Sequence, residues 1–387
     1  MSQRTPVTRE VIVLGATPDA GWVVSELLDL ACKVHWVGGK SSLQPGPVRD
    51  EHLATYEGFA LCSLVGHVGS FQARLRRDQE TVTVHASAIV VATGNERYYP
   101  DGVYGVPLAA RVLTVSQIER QLAAPRGTAT ALAHRHERLA LLLDLGKESG
   151  KQVASEALRL AIRLREEWHG EVYVFYRNLK VDTYGLERLT REMRQCGVVF
   201  CRYGDVTVSS DDSGVTLNYL EGPLRVDWLI LPEAVRPAPD TTRLARVLQV
   251  RVGEDGYFQD VNIHQLRPGL SNRRGIFFAG RCHLDCNDEE ARADAAQAAA
   301  NVGALLDPGF LEPDAVIAHV DPEKCIRCLT CIRTCPHVAV ELAHYDDITA
   351  ARVVELACQG CGACVCNCPV RAIDLVGQTM PAWTQHT

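Results

Sequence analysis

A chain of 387 residues with fifteen cysteines, 40 basic and 47 acidic side chains is long enough to bury a large core without covalent staples, and its net charge of -7 argues against nucleic acid as a partner. Met1 to Glu10 is polar and runs directly into Val11-Ile-Val-Leu14, which leaves no room for an apolar signal segment. No stretch approaches the roughly 18 apolar residues of a membrane span, Leu139 to Leu145 being far too short.

Val11 to Leu14 reads as a buried parallel strand, Gly15 to Gly21 as a turn, and Lys33 to Val37 as a second strand. Between them Val23, Val24, Leu27, Leu28 and Ala31 mark the apolar face of a helix. This β-α-β unit has the length of a dinucleotide-binding half, but its fingerprint is altered. In G-x-G-x-x-G/A the second glycine lets the backbone approach a pyrophosphate at the helix N-terminus, and the three places here are Gly15, Thr17 and Ala20. Thr17 adds a side chain where phosphate approaches, and Pro18 removes a backbone donor. The acid that usually ends the second strand is missing from Val37-Gly38-Gly39-Lys40. Two readings stay open, a cofactor-binding Rossmann unit and a purely structural one.

His85 to Val91 reads as one buried strand ending in the tight turn Ala92-Thr93-Gly94. The Ala-, Arg- and His-rich stretch Ala123 to Arg138 reads as a linker into a second α/β unit. That unit has a strand at Leu139 to Leu143, a turn from Asp144 to Lys151, a helix to about His169 and a strand from Glu171 to Tyr176. Gly146-x3-Gly150-Lys151 is one residue short of a phosphate loop, and Gln152 replaces the magnesium-binding Ser or Thr. ATP chemistry is excluded on that basis. Arg177 closes the last strand as a partner for a 2'-phosphate or as a solvated side chain.

Gly275-Ile-Phe-Phe-Ala-Gly280 reads as a strand and turn, followed by a helix from about Asp288 to Leu306 with acids in its first turn. Ala291, Ala293, Ala295, Ala296 and Ala298 to Ala300 keep that helix smooth, so it can lie against a flavin ring or simply pack on the sheet. Cys282, His283, Asp285 and Cys286 are either a metal corner or free thiols beside a cofactor site.

The most specific passage is the last. Cys325-x2-Cys328-x2-Cys331-x3-Cys335-Pro336 is repeated 33 residues later as Cys358-x2-Cys361-x2-Cys364-x3-Cys368-Pro369, the spacing of bacterial two-cluster ferredoxins. Three close cysteines wrap one corner of a [4Fe-4S] cube and the fourth comes from the other run. Cys325, Cys328, Cys331 and Cys368 therefore form one expected ligand set, and Cys358, Cys361, Cys364 and Cys335 the other. A pair of zinc knuckles is the alternative. Cys366 falls outside the spacing and is expected to be a spare buried thiol. With eight cysteines so committed, the other seven show no disulfide framework, and a reduced cytoplasm is the expected compartment. Residues 312 to 387 carry nine acids and five bases, which favours a basic docking face on a partner.

The order of these segments resembles the flavin- and iron-sulfur-containing A subunit of heterodisulfide reductase and its relatives. The resemblance rests on Val172-Tyr-Val-Phe-Tyr-Arg177, Tyr184-Gly185, Asp255-Gly256-Tyr-Phe258, Leu266-Arg-Pro268, Gly275 to Gly280 and the terminal ferredoxin, and spans about Val11 to Val376. It implies an α/β, Rossmann-like (thioredoxin-reductase-like) two-unit flavoprotein body with a C-terminal α+β two-[4Fe-4S] ferredoxin domain. The implied domains are residues 8-122 with 225-308 for FAD, 138-224 for the inserted second α/β unit, and 312-378 for the ferredoxin. FAD is then placed by Gly15, Thr17, Thr93, Gly94, Gly280 and Arg281. The implied role is an electron-transfer subunit passing electrons through FAD and two clusters to other redox subunits of a larger complex, with no direct membrane insertion. Many relatives have an extra inserted ferredoxin, whereas Ser63 to Gln195 contains no cysteine, and Leu231-Pro-Glu-Ala-Val235 stands where relatives often have a second A-T-G-like turn. Both departures argue against electron bifurcation here. Two alternatives remain, a flavin-free docking scaffold carrying a two-cluster wire and a self-contained NAD(P)H-dependent ferredoxin reductase. The second is opposed by the missing G-x-G-x-x-G in the second unit.

Overall fold

The computed structural model describes residues 4–39, 51–99, 102, 105, 107, 108, 111–123, 137–144, 150–179, 181, 184–261, 268–345 and 347–377. Lys40, most of the linker Ala123 to Arg138, Gly146 of the loop before Gly150, and Leu266 and Arg267 of the resemblance lie outside them. The chain forms two compact units. One takes Met1–Gly94, Ala238–Leu284 and Arg292–Thr387, and the other Asn95–Pro237 and Asp285–Ala291.

The first unit is built on a parallel sheet in the order Ile276–Phe278, Ala88–Val91, Glu10–Leu14, Lys33–Val37, Leu53–Tyr56. The first three runs and most of Lys33–Val37 are buried because both faces of a parallel sheet are covered, whereas the edge strand Leu53–Tyr56 is half-exposed. Side chains alternate across the sheet. Ile12, Leu14, Ile89, Val91 and Phe278 join Leu61, Phe71, Leu75 and Val84 of a three-stranded antiparallel sheet on one side. On the other, Val11, Val13, Val34 and Val90 meet Val23, Val24 and Leu27 of the helix Pro18–Asp29, and Ala295, Ala298, Ala299 and Val302 of the helix Asp288–Leu306. The alanine-rich helix therefore packs the sheet closely through its small side chains.

The single strand expected from His85 to Val91 is two strands. Glu80–Ala86 belongs to the antiparallel sheet and Ala88–Val91 to the parallel one. The break is at buried Ser87, whose N–H donates to Glu10 O at 2.8 Å and whose carbonyl accepts from Gly69 N at 2.9 Å. An apolar alternation cannot reveal that the chain changes sheets while both halves stay buried.

The second unit has a parallel sheet in the order Val112–Thr114, Trp228–Leu231, Arg138–Leu142, Glu171–Tyr176, Val199–Arg202. The strand pairing differs from the bounds drawn at 122 and 225: Val112–Thr114 and Trp228–Leu231 add to this sheet and not to that of the first unit. Short apolar strands carry no label of the sheet they join. The helix Lys151–Trp168 starts after Gly150, which offers no capping side chain. Asp285 supplies the cap, its carboxylate accepting from Lys151 N at 2.8 Å and Gln152 N at 3.2 Å.

The cysteine-rich segment folds as two copies of one half-unit within the first compact unit. Val316–Val320 pairs antiparallel with Ile373–Gly377, and Val340–Tyr345 with Ile348–Val353. Short helices stand at Thr330–Thr334 and Ala363–Cys366. Left-handed backbone recurs at the 33-residue interval, at Arg327 and Gly360, Leu329 and Gly362, and Val338 and Arg371. The internal repeat in the sequence is thus a repeat of backbone conformation.

Candidate functional site

Two cavities in the cysteine-rich segment are each lined by four thiols. One is surrounded by Cys325, Cys328, Cys331 and Cys368, the other by Cys335, Cys358, Cys361 and Cys364. Each therefore draws three thiols from one run and one from the other. Among the described residues no three Cys, His, Asp or Glu side chains close on a point fit for a single ion. The thiols stand around volumes instead, which suits a cube better than one tetrahedral zinc. Apolar neighbours seal the cavities, including Val320, Ile373 and Ala372 around the first and Ala339, Val340 and Val353 around the second.

The backbone already donates to these sulfurs. Ala339 N reaches Cys335 Sγ at 3.3 Å, and Ala372 N reaches Cys368 Sγ at 3.2 Å, the same bond in each repeat. Ala318 N donates to Cys358 Sγ at 3.4 Å. Such bonds stabilise negative charge on cluster sulfur and raise reduction potential. Burial raises the Cys331 thiol, and burial with the neighbouring Cys335 and Cys358 pushes Cys364 up to about 11. Thr330, through its hydroxyl and N–H, lowers Cys328. Cys366, expected to be buried, is exposed, because it ends a helix of only four residues whose buried position is Cys364.

The segments around the second cavity are bonded to the loop that leads into the strand Ile276–Phe278. Asn272 Nδ2 donates to Pro336 O at 2.6 Å, His337 Nδ1 meets Asn272 O at 2.8 Å, and Arg274 Nη1 donates to Leu356 O at 3.1 Å. Pro336 follows Cys335, and Leu356 lies two residues before Cys358. The first cavity is instead rimmed by the exposed side chains Ile326, Leu342 and Val370.

At the carboxyl ends of the parallel strands the structure brings together Gly15, Thr17, Thr93, Gly94, Gly280 and Arg281. Gly15 has φ +147°, and a Cβ there would come within 2.2 Å of Ala92 O, so no other residue fits. Thr17 donates its hydroxyl to Ala92 O at 2.7 Å and caps the helix Pro18–Asp29 by accepting from Ala20 N at 3.3 Å. Gly94, at φ +65°, lies against the Thr17 methyl. Gly280, at φ +69°, donates its N–H to Asp294 Oδ2 at 2.6 Å. Buried Thr93 Oγ1 has no partner among the described residues. This cradle of close-approach glycines with an unsatisfied hydroxyl fits a dinucleotide at the topological switch point.

The phosphate end differs from a standard one. Asp19, in the first helical turn and 1% exposed, accepts from Arg281 N at 2.9 Å and pairs with Arg281 Nη1 at 2.6 Å. Behind Gly280, the fully buried His283 ring bridges Asp260 Oδ1 at 3.1 Å and Asp294 Oδ2 at 2.9 Å. Burial opposes its charge, but the two carboxylates outweigh burial and push it up to about 9. Sequence reasoning missed Asp19, Asp260 and Asp294. The available signals were an acid directly after Pro18 and a lone mid-helix acid among alanines.

Cys282 donates its thiol to Val91 O at 3.2 Å and Ala279 O at 3.3 Å, and burial raises it well above the ordinary range. With His283 and Asp285 committed elsewhere, the metal-corner reading of Cys282 to Cys286 has no geometric support among the described residues. The Arg177 guanidinium lies over the Tyr203 ring at 5.5 Å and its Nε is buried without a partner among the described residues, so it is not a freely solvated side chain.

A family model described as a 4Fe-4S dicluster domain matches residues 318–375. Relatives include a protein of Archaeoglobus profundus that is itself described as like the A subunit of heterodisulfide reductase, 26% identical over 49% of this chain and 28% of its own length. An iron-sulfur A subunit of CoB–CoM heterodisulfide reductase from Methanopyrus kandleri is 25% identical over 70% of this chain and 45% of its own. The corresponding iron-sulfur protein of Methanocaldococcus jannaschii is 27% identical over 73% and 47%. The chain thus spans less than half the length of these relatives. Thioredoxin reductase of T. acidophilum superposes with TM-score 0.50 at 14% identity, covering 76% of this chain and 98% of that one, and shares the fold. No helix among the described residues is long and apolar enough to cross a membrane. With its thioredoxin-reductase-like α/β body and its 4Fe-4S dicluster domain, the chain is like the A subunit of heterodisulfide reductase.

Proposed function

We propose that the chain is an electron-transfer subunit of a heterodisulfide reductase-like complex in a reducing compartment, relaying electrons through FAD and two [4Fe-4S] clusters to partner subunits. The observation that carries this reading is the pair of four-thiol cavities in the same compact unit as the dinucleotide cradle, one of them hydrogen-bonded to the loop Ser271 to Arg274. When bound, FAD exchanges electrons in pairs or singly and each cluster carries one at a time.

The chain's own residues give these groups their places. Gly15 and Gly94 let backbone approach the dinucleotide, with Thr17, Thr93, Gly280 and Arg281 around it. The eight cysteines hold the clusters, and the N–H groups of Ala339, Ala372 and Ala318 neutralise charge on three of the sulfurs. Asn272 and His337 fix the loop after Cys335, so the cage of Cys335, Cys358, Cys361 and Cys364 is the inner one. The cage of Cys325, Cys328, Cys331 and Cys368 faces partners past Ile326, 58% exposed, Leu342 and Val370. The acidic balance of this domain suits a receiving redox partner with a basic face.

A flavin-free docking scaffold with a two-cluster wire is the second reading. It is favoured by the Asp19 carboxylate at the helix N-terminus, where a pyrophosphate normally sits. Anaerobic purification with FAD supplied, followed by chromatographic flavin analysis and iron counting, separates the two. One FAD with about eight irons, two cubes' worth, supports the relay. About eight irons and no flavin leaves the scaffold.

A further inference from the structure

Asp19 is the second residue of the helix Pro18–Asp29, in the turn whose N–H groups and dipole attract an anion. Its carboxylate is buried and meets both the guanidinium and the N–H of Arg281, at 2.6 and 2.9 Å. Arg281, 8% exposed, is thereby neutralised at the switch point. The neighbouring Gly280 N–H is taken by another carboxylate, that of Asp294. Even the absence of a side chain at Gly280 is explained by Asp19, because a Cβ there would lie 2.5 Å from its Oδ2. The guanidinium and the two backbone donors that would greet a pyrophosphate are engaged by the protein's own acids, while the first free N–H groups of the helix go to Thr17.

We infer that Asp19 and Arg281 form an internal lock on the phosphate end of the cradle, the carboxylate standing in for the phosphate anion. A dinucleotide seats fully only by displacing Asp19 from Arg281. This deepens the flavin reading and rests on it. The lock makes cofactor retention weak and reversible, and protects the chain's fold when no dinucleotide is bound by giving the buried Arg281 guanidinium an anion.

The test is FAD affinity of the cluster-loaded chain, measured anaerobically by quenching of flavin fluorescence, for wild type, Asp19→Asn, and Asp19→Asn with Arg281→Gln. Asn keeps the shape at position 19 and removes the competing charge. The expected result is FAD binding about tenfold or more tighter in Asp19→Asn, the worth of one charge-assisted hydrogen bond freed for the phosphate. The double variant has a neutral pair of hydrogen-bonding amides and guards against misfolding of the single one, since no buried charge is left alone. It is expected to bind FAD no more weakly than wild type, since both members of a self-cancelling pair are gone.

Measurable affinity that is equal or weaker in folded Asp19→Asn overturns the lock and leaves the flavin reading standing. Where that single variant does not fold, a loss of about tenfold or more in the double variant does the same, because it makes Arg281 an ordinary phosphate ligand. Absence of FAD binding in every folded protein of the series overturns the flavin reading, and the lock with it.

Discussion

His283 gives the fold of the first unit a pH dependence of known sign. The ring is fully buried between Asp260 and Asp294 and titrates at about 9 against an ordinary 6.5. A histidine whose folded value is raised contributes stability that is fully present below 6.5 and is lost as pH climbs through about 9. A displacement of that size corresponds to about 3 kcal/mol. His283→Gln keeps hydrogen-bonding capacity but cannot carry the charge that lets the buried Asp294 and the partly buried Asp260 carboxylates coexist. Urea unfolding of the cluster-loaded chain, followed anaerobically by tryptophan fluorescence from pH 6 to pH 10, measures the effect as a difference between the two proteins. That difference should be largest near pH 6 and shrink by about 3 kcal/mol toward pH 10 as the wild-type imidazolium deprotonates. Parallel profiles for wild type and His283→Gln would show that the ring is neutral in its cage, and the reasoning fails.

The remaining expectations concern the cages. Cys335→Ala should remove or convert the cluster shared with Cys358, Cys361 and Cys364 while sparing the other, as read by iron content and electron paramagnetic resonance; loss confined to the Cys325 to Cys331 site contradicts the ligand exchange. Gly360→Ala places a Cβ 2.5 Å from Val316 O at φ +63° and should lower thermal stability by about 1–3 kcal/mol. Leu329→Gly, at the repeat-related left-handed position of Gly362, should be tolerated or stabilise by up to about 1 kcal/mol. A destabilised Leu329→Gly would mean that the Leu side chain, beside the first cage, matters more than its backbone strain.

What could be read in the sequence follows from how local each signal is. The β-α-β start was legible because Val11 to Leu14 and Lys33 to Val37 are short apolar runs flanking a helical apolar face, and the two strands are neighbours in the sheet. The grouping of cysteines was legible because covalent spacing limits which thiols reach one cube. Sheet membership was not, since Val112–Thr114 and Trp228–Leu231 have the same apolar character as the strands of the first unit. Nor were the buried acids. Asp19 and Arg281 are 262 residues apart and Asp260 and His283 are 23 apart, so each looks like a surface charge until the fold pairs it. Thr17 and the missing acid at Gly38 and Gly39 were legible as departures from the fingerprint, but the pairing of Asp19 with Arg281 was not.

The relay requires electron passage between flavin and clusters within this chain. After anaerobic reconstitution with FAD, iron and sulfide, the flavin can be photoreduced in milliseconds and the sample freeze-quenched for electron paramagnetic resonance. Reduced-cluster signals that rise as the flavin reoxidises, with the second-cage signal lost selectively in Cys335→Ala, are the result the relay predicts. A flavin that stays reduced beside clusters that stay oxidised, with a reductant-competent cluster pair confirmed by dithionite, would contradict it.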